Sequence, residues 1–151
     1  MLLSQLLTPQ RIRVPIVGTD KPSVLRELVE AVADGDTSQV QDLLEAVSER
    51  EAVLSTGVGY GVALPHGRSP RVDELRVSAG VAPRPIPYDS LDGEPVRLFF
   101  LLVGPESEAG AHVKALSRIT RLVRHQPLRE RLLQARTGEE FHRLLREAEG
   151  L

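Results

Sequence analysis

The chain has 151 residues, with 19 lysines and arginines against 21 acidic residues and a formal net charge of −2. This length suits one domain with a core of its own, and the near balance of charge gives no indication of a general affinity for nucleic acid or acidic membranes. The chain contains no cysteine. Disulfides, thiolate chemistry and cysteine-ligated zinc are therefore excluded.

Targeting and membrane-spanning segments are not expected either. Residues 1–11 lack the basic start and the long apolar stretch of a signal peptide. The longest apolar run, 98–103, has the length of a strand, well short of the roughly 18 residues that a membrane span needs. We therefore expect a cytoplasmic, soluble, single domain over residues 1–151.

The first third of the chain predicts one strand and two helices. Residues 11–17 alternate in polarity and predict a short strand, which Pro15 places at the edge of a sheet. A helix is predicted to begin at Asp20-Lys21-Pro22 and to end at Asp34-Gly35, because its apolar residues recur at helical spacing. A second helix is predicted from Asp36 to about Arg50.

The remainder predicts strands followed by helices. Residues 75–81 alternate and predict a half-buried strand, whereas the prolines within 82–95 predict an extended connection without regular pairing, turning at Asp92-Gly93. Residues 96–103 are almost wholly apolar, which predicts a central strand covered on both faces. Three helices should follow, from about Gly110, from Pro127 and from Thr137. This order predicts an α/β fold with helices over a mixed sheet.

Residues 57–67 are the most informative stretch. Glycines at 57, 59 and 61 weaken any helix or strand and lead into Ala-Leu-Pro-His-Gly. Pro65 and Gly67 predict a chain reversal that holds His66 with open space around it. A lone histidine is more often structural, but a neutral imidazole is a nucleophile at cell pH. The pattern therefore raises the hypothesis that His66 attacks phosphoryl groups, with the glycines clearing the approach of a donor protein.

Four other residues could assist such chemistry, and each also has a purely structural interpretation. Arg50 could bind the oxygens of a phosphoryl group, or be a solvated arginine between Glu49 and Glu51. His112 could reach the site from its helix, or be a core histidine on an apolar face. Ser55 and Thr56 could donate hydroxyl hydrogen bonds to a phosphoryl group, or merely satisfy a turn.

Nucleotide and metal sites fit the sequence poorly. The glycine run has Val62 where a dinucleotide fingerprint needs a glycine, and no Gly-Lys-Ser/Thr follows it. His66 and His112 lack the acidic or thiolate partners that would complete a zinc site. We therefore expect neither a cofactor nor a metal ion.

Residues 49–51 (Glu-Arg-Glu) and 55–68 (Ser-Thr-Gly-Val-Gly-Tyr-Gly-Val-Ala-Leu-Pro-His-Gly-Arg) carry a family resemblance. They resemble the signature of the fructose/mannitol-type (type 2) enzyme IIA domain of the bacterial phosphoenolpyruvate-dependent phosphotransferase system. The resemblance continues through residues 92–96 and the helix that contains His112, and so covers essentially the whole chain. It departs from the family at Tyr60, where a small or polar residue is expected, and at Val113, where the family often has leucine.

The resemblance implies a three-layer α/β/α sandwich around a mixed sheet and a phosphotransferase component that acts as a histidine phosphocarrier. In the family, the histidine matching His66 accepts a phosphoryl group from the carrier protein HPr and passes it to a IIB domain. The residues matching Arg50 and His112 line that site, and no nucleotide or metal is required. Two roles stay open, sugar uptake and a nitrogen-related regulatory branch acting on target proteins. The alternative from another class is a non-catalytic protein-binding module with the same fold.

Overall fold

The protein is described here by a computed structural model that covers residues 2–151. A mixed sheet lies at its centre, and helices cover both of its faces. The strands are β1 (Ile12–Arg13), β2 (Gly57–Gly59), β3 (Val62–Ala63), β4 (His66–Arg68), β5 (Arg76–Ile86) and β6 (Val96–Gly104). The α-helices are α1 (Leu3–Leu6), α2 (Lys21–Val32), α3 (Thr37–Val53), α4 (Ala109–Arg124), α5 (Gln126–Leu133) and α6 (Gly138–Ala148).

The strand order is β1-β5-β6-β3-β2, with β4 also paired to β6. β5 runs antiparallel to β6, whereas β1 pairs parallel with β5, and both β3 and β4 pair parallel with β6. β3 and β4 therefore follow one another along the same side of β6. At the end of the sheet where β6 terminates, β4 is the edge strand.

The central strand β6 divides its side chains between two apolar cores, as a strand buried on both faces must. Leu98, Phe100 and Leu102 pack with apolar residues of α1, α4, α5 and α6. Phe99, Leu101 and Val103 pack with apolar residues of α2 and α3. The sheet is thus the middle layer of a three-layer α/β/α sandwich, which confirms the predicted fold class.

Local signals explain where several elements begin. Asp20 caps α2 by accepting a hydrogen bond from the Ser23 amide, and Thr137 caps α6 by accepting one from the Glu140 amide. The turn predicted at Asp92-Gly93 is present, since the Gly93 amide donates to the Ser90 carbonyl and Gly93 has a φ of 76°. These features agree with the sequence predictions.

Three sequence predictions were wrong in extent. β1 covers only two residues of the predicted 11–17, although it does lie at an edge of the sheet. β5 continues through the exposed Pro83 and Pro85 to Ile86, because the strand resumes pairing with β6 at Ile86–Val96 after a break in register. Helix α3 extends beyond Arg50 to Val53.

Candidate functional site

A cleft of about 350 Å³ lies at the edge of the sheet beside β4. Three elements meet there: α3 supplies Ala46 and Arg50, β4 supplies His66 and Arg68, and α4 supplies His112 and Val113. Three of the residues predicted from sequence, Arg50, His66 and His112, are therefore brought together from segments that are distant in the chain.

His66 begins strand β4, and its strand neighbour in β6 is Leu102. The predicted chain reversal at Pro-His-Gly is wrong, because β3 and β4 run in the same direction along β6. The His66 Nδ1 atom lies 2.8 Å from the carbonyl oxygen of Leu64. A carbonyl oxygen can only accept, so Nδ1 carries the ring proton and donates it. In the neutral ring the lone pair is consequently on Nε2.

Gly67 explains how α3 comes close enough to share the cleft. A Cβ atom at Gly67 would lie 2.9 Å from the carbonyl carbon of Ala46 and 2.9 Å from the amide nitrogen of Val47, both in the backbone of α3. Only a residue without a side chain permits this approach. The contact lies about one helical turn before Arg50, and the close approach of α3 places Arg50 at the cleft.

Two arginines place positive charge around His66. Arg50 lies in the last turn of α3, where its Nη1 donates to the carbonyl oxygen of Leu54 at 2.8 Å. Arg68 is two residues after His66 on the same strand, and so it projects from the same face. The pKa of His66 is lowered mainly by burial, with Arg50 and Arg68 acting in the same direction and the Leu64 carbonyl opposing them. The ring is therefore neutral at pH 7.

His112 lies in the first turn of α4 and is 3% exposed. Its ring packs edge-on against that of His66, with the centroids 5.3 Å apart and the planes at 69°. Burial, followed by the neighbouring His66 and Arg68, lowers the pKa of His112 to about 4. Within residues 2–151 its buried Nε2 has no hydrogen-bond partner. Since buried polar atoms are nearly always paired, this nitrogen is available to a ligand.

Ser55 and Thr56 do not line the cleft, and their hydroxyls have partners elsewhere. Ser55 donates to the carbonyl oxygen of Tyr88 at 3.5 Å. Thr56 is buried, and its hydroxyl forms a very short hydrogen bond to the Glu51 carboxylate, which also accepts from the Thr56 amide at 2.9 Å. The same carboxylate accepts from the Tyr88 hydroxyl at 3.0 Å and pairs with Lys21 at 3.0 Å. We call Glu51, Thr56, Tyr88 and Lys21 the Glu51 network.

The glycines at 59 and 61 flank the tight turn between β2 and β3, where Tyr60 has a φ of 59°. This turn does not border the cleft. Val62, directly after it, pairs with Leu98, whereas His66 pairs with Leu102. Leu98 and Leu102 are four residues, or about 13 Å, apart along β6, so the turn and His66 are separated by about that distance. These glycines therefore do not line the cleft, and their part in the approach of a donor protein stays a prediction.

Sequence reasoning missed Arg68 and Glu106 as cleft residues. Arg68 Nη1 forms an ion pair with Glu106 Oε2 at 3.3 Å. Had 66–68 been assigned as a strand, its two-residue period would have placed Arg68 beside His66. No comparable local signal identifies Glu106, which lies in a short 3-10 helix (Glu106–Glu108) before α4.

The cleft as a whole is suited to a tetrahedral anion. It combines a nucleophilic imidazole nitrogen with two guanidinium groups, of which that of Arg68 is paired with Glu106. It also contains the His112 Nε2, which has no partner within residues 2–151. Among residues 2–151 there is no group of three or more histidine or acidic side chains that could hold a metal ion. No helix in the same range has the length and apolar character to cross a bilayer.

Comparison with known proteins agrees with this geometry. The family model described as "Phosphoenolpyruvate-dependent sugar phosphotransferase system, EIIA 2" matches residues 5–148. The fold and the sequence define a protein of the phosphotransferase-system IIA class. The chain belongs to the EIIA type 2 family, as the sequence resemblance indicated.

Relatives come from two branches of this family. The chain is 34% identical over 145 residues to a nitrogen regulatory protein of Bradyrhizobium diazoefficiens, covering 96% of this chain and 95% of the relative. It is 33% identical over 140 residues to a fructose-specific EIIABC component of Bacillus subtilis, covering 92% of this chain but 22% of that protein. The solved structure of the nitrogen regulatory protein IIA-Ntr from Neisseria meningitidis superimposes with a TM-score of 0.87 at 29% identity, over 95% of this chain and 98% of that one.

Proposed function

We propose that this protein is a phosphocarrier that receives a phosphoryl group on His66 Nε2 from the phosphohistidine of an HPr-like protein. The observation that carries the proposal is the hydrogen bond from His66 Nδ1 to the Leu64 carbonyl, which assigns the lone pair to Nε2. Membership of the EIIA type 2 family supports it, since such domains are phosphotransferase components.

The transfer is a displacement at phosphorus. The Nε2 lone pair forms a bond to phosphorus while the nitrogen–phosphorus bond of the donor histidine breaks, and that electron pair returns to the donor nitrogen. Nδ1 keeps its proton throughout, because it donates that proton in a hydrogen bond to the Leu64 carbonyl. The transfer requires no nucleotide or metal ion, since the donor is already an activated phosphohistidine.

The residues around Nε2 have separate roles in this proposal. The guanidinium groups of Arg50 and Arg68 stabilise the charge on the phosphoryl oxygens. His112, which is neutral because its pKa is about 4, offers its unpartnered Nε2 as a hydrogen-bond donor when that nitrogen carries the ring proton. Ser55 and Thr56 are left out of the proposed contacts because their hydroxyls are engaged by Tyr88 and Glu51.

The surface around the cleft suits a protein partner. Val113 borders the cleft and is 61% exposed, and a docked protein would bury this apolar side chain. One structural neighbour is the Escherichia coli mannitol IIA in complex with its phosphorylated IIB partner, with a TM-score of 0.79. At 20% identity that likeness shows the fold alone. It motivates the proposal that His66 passes its phosphoryl group to a IIB-like acceptor.

The regulatory role is the stronger of the two roles left open. The nitrogen regulatory IIA-Ntr structure superimposes with a TM-score of 0.87, against 0.78 for the mannitol IIA. We therefore propose that the phosphorylation state of His66 controls the binding of a target protein. Sequence identities of 34% and 33% to the two branches do not separate them.

The test is phosphorylation by labelled phosphoenolpyruvate with purified enzyme I and HPr. We expect stable labelling of the wild-type chain and none of His66→Ala, with the fold intact by circular dichroism. His142→Gln is the matched control, because His142 lies on α6 and its Nε2 bonds only the Ser4 carbonyl. Labelling of His66→Ala at the wild-type level would overturn the proposal, and an unlabelled wild-type chain would favour a non-catalytic binding module.

A further inference from the structure

A second concavity, of about 560 Å³, lies between the second half of α4, the start of α5 and the end of α6. Its volume is within the range of small-molecule sites. It is separate from the His66 cleft. Arg121 on its wall is nine residues beyond His112 along α4, a rise of about 14 Å. We call this concavity the α4–α6 groove.

The α4 wall of the groove is strongly basic. Helix α4 carries Lys114, Arg118, Arg121 and Arg124 and contains no acidic residue, although the whole chain has a net charge of −2. Arg118 and Arg121 line the groove, and α5 adds Arg131. Positive potential is therefore concentrated at this surface.

The two acidic residues that line the groove are already neutralised. The Glu149 carboxylate is 1% exposed and accepts hydrogen bonds from Arg118 Nε at 2.7 Å and from the amides of Leu3 and Ser4 at 2.8 Å each. Glu147 pairs with Arg131 and with Arg143, each at 3.4 Å. An entering anion therefore meets arginines whose charge exceeds that of the carboxylates.

The groove contains arginine nitrogens that form no hydrogen bond to any residue within 2–151. The bond to buried Glu149 fixes the Arg118 guanidinium through Nε, and within residues 2–151 its terminal nitrogens form no hydrogen bond. Arg121 forms neither an ion pair nor a hydrogen bond in the same range. A planar guanidinium fork matches the oxygens of a carboxylate or a phosphate. Arg118 is thus an oriented donor and Arg121 a free one.

A further donor and an apolar floor complete the groove. The Leu128 amide donates to His125 Nδ1 at 3.4 Å, so in the neutral ring the proton is on Nε2. Leu122, Leu128 and Leu144 form the apolar part of the lining. We propose that the α4–α6 groove binds a small molecule that carries a carboxylate or phosphate group on a compact apolar body.

The proposal can be tested by NMR titration of the 15N-labelled chain with phenyl phosphate, inorganic phosphate and phenol. We expect saturable shifts of amides in α4, α5 and α6 around the groove with phenyl phosphate, weaker binding of inorganic phosphate, and no saturable shift with phenol. Arg121→Gln should raise the Kd of phenyl phosphate about tenfold, the effect of losing one charged hydrogen-bonding group. The residue-by-residue readout separates the groove from the His66 cleft.

Arg124→Gln provides the matched control, because Arg124 is an exposed arginine of the same helix that does not line the groove. It should leave the Kd within about twofold of the wild type, as expected for an exposed charge outside the site. The proposal is overturned if phenyl phosphate shifts only the His66 cleft. Equal Kd values for Arg121→Gln and the wild type would overturn it as well.

Discussion

The neighbouring residues Arg50 and Glu51, close to the end of α3, lie in two opposite environments. Glu51 is 6% exposed, and its carboxylate is held by Thr56, Tyr88 and Lys21. Arg50 faces the His66 cleft, where the buried Nε2 of His112 has no partner within residues 2–151. The Glu51 network is complete without a ligand, whereas the cleft is not. Pairing of buried polar atoms therefore distinguishes a structural polar cluster from a site prepared for a ligand.

Disruption of the Glu51 network should cause the largest loss of stability. Burial alone would raise the pKa of Glu51, but hydrogen bonds from Thr56 and Lys21 outweigh it, and the pKa lies below its usual value. Glu51→Ala leaves the Thr56 amide without its acceptor and removes the carboxylate from Lys21 and the Tyr88 hydroxyl. Lys21 then keeps only the Tyr88 carbonyl, at 3.0 Å. We expect the free energy of unfolding to fall by about 3–5 kcal/mol, as for a broken buried ion pair, in urea denaturation.

Glu49→Ala is the control for this measurement, because Glu49 is an exposed glutamate of the same helix. Its effect should stay within about 0.5 kcal/mol. If Glu51→Ala were no more destabilising than Glu49→Ala, the interpretation of the Glu51 network as a structural cluster that stabilises the fold would be contradicted.

Replacement of Arg50 should affect transfer far more than folding. Arg50→Ala removes one guanidinium from the phosphoryl site, and we expect the rate of transfer from phospho-HPr to fall about a hundredfold. Folding loses only the bond to the Leu54 carbonyl, about 1 kcal/mol. Rapid-quench measurement of labelled phosphohistidine gives the rate.

The variant Arg50→Lys separates the effect of charge from that of guanidinium geometry in the same experiment. It keeps the positive charge but loses the planar fork, so the rate should recover only in part. A rate for Arg50→Ala equal to that of the wild type would show that Arg50 is a solvated helix-end residue.

His112 should have the smallest effect on transfer and a distinctive dependence on pH. We expect His112→Asn to slow transfer about tenfold, the loss of one hydrogen bond to a charged group. The folded pKa is about 4 against the ordinary 6.5. Between these values the unfolded chain binds more protons, so His112 makes the folded state less stable as pH falls from 6.5 towards 4.

Urea denaturation at pH 7 and pH 5 tests this dependence. The loss of stability between the two pH values should be smaller in His112→Asn than in the wild type. An equal loss in both would mean that His112 titrates as it does in the unfolded chain.

Patterns within one element predicted much of the fold. The apolar run 96–103 predicted the central strand, and Thr137 with Glu140 predicted the start of α6, because both signals are local. The extent of β5 was not predictable from Pro83 and Pro85, since pairing at Ile86 depends on a strand ten residues further along. Local sequence carries no information about such register.

The candidate site was likewise predicted only in part. His66, Arg50 and His112 were proposed from the motif and its family resemblance, and the structure brings them together. Ser55 and Thr56 were expected at a phosphoryl group, but Tyr88 and Glu51 engage them instead. Nothing in the motif predicts that Tyr88, more than thirty residues away, competes for those hydroxyls.

The Glu51 network also has a spectroscopic consequence. The chain has two tyrosines and no tryptophan. Tyr60 is 61% exposed and stacks against the Arg129 guanidinium, whereas Tyr88 is 1% exposed and bonded to Glu51. Tyr60→Phe would leave a chain whose single phenol belongs to the network. Because near-ultraviolet circular dichroism senses fixed side-chain packing, that variant would report on the end of α3 without an attached dye.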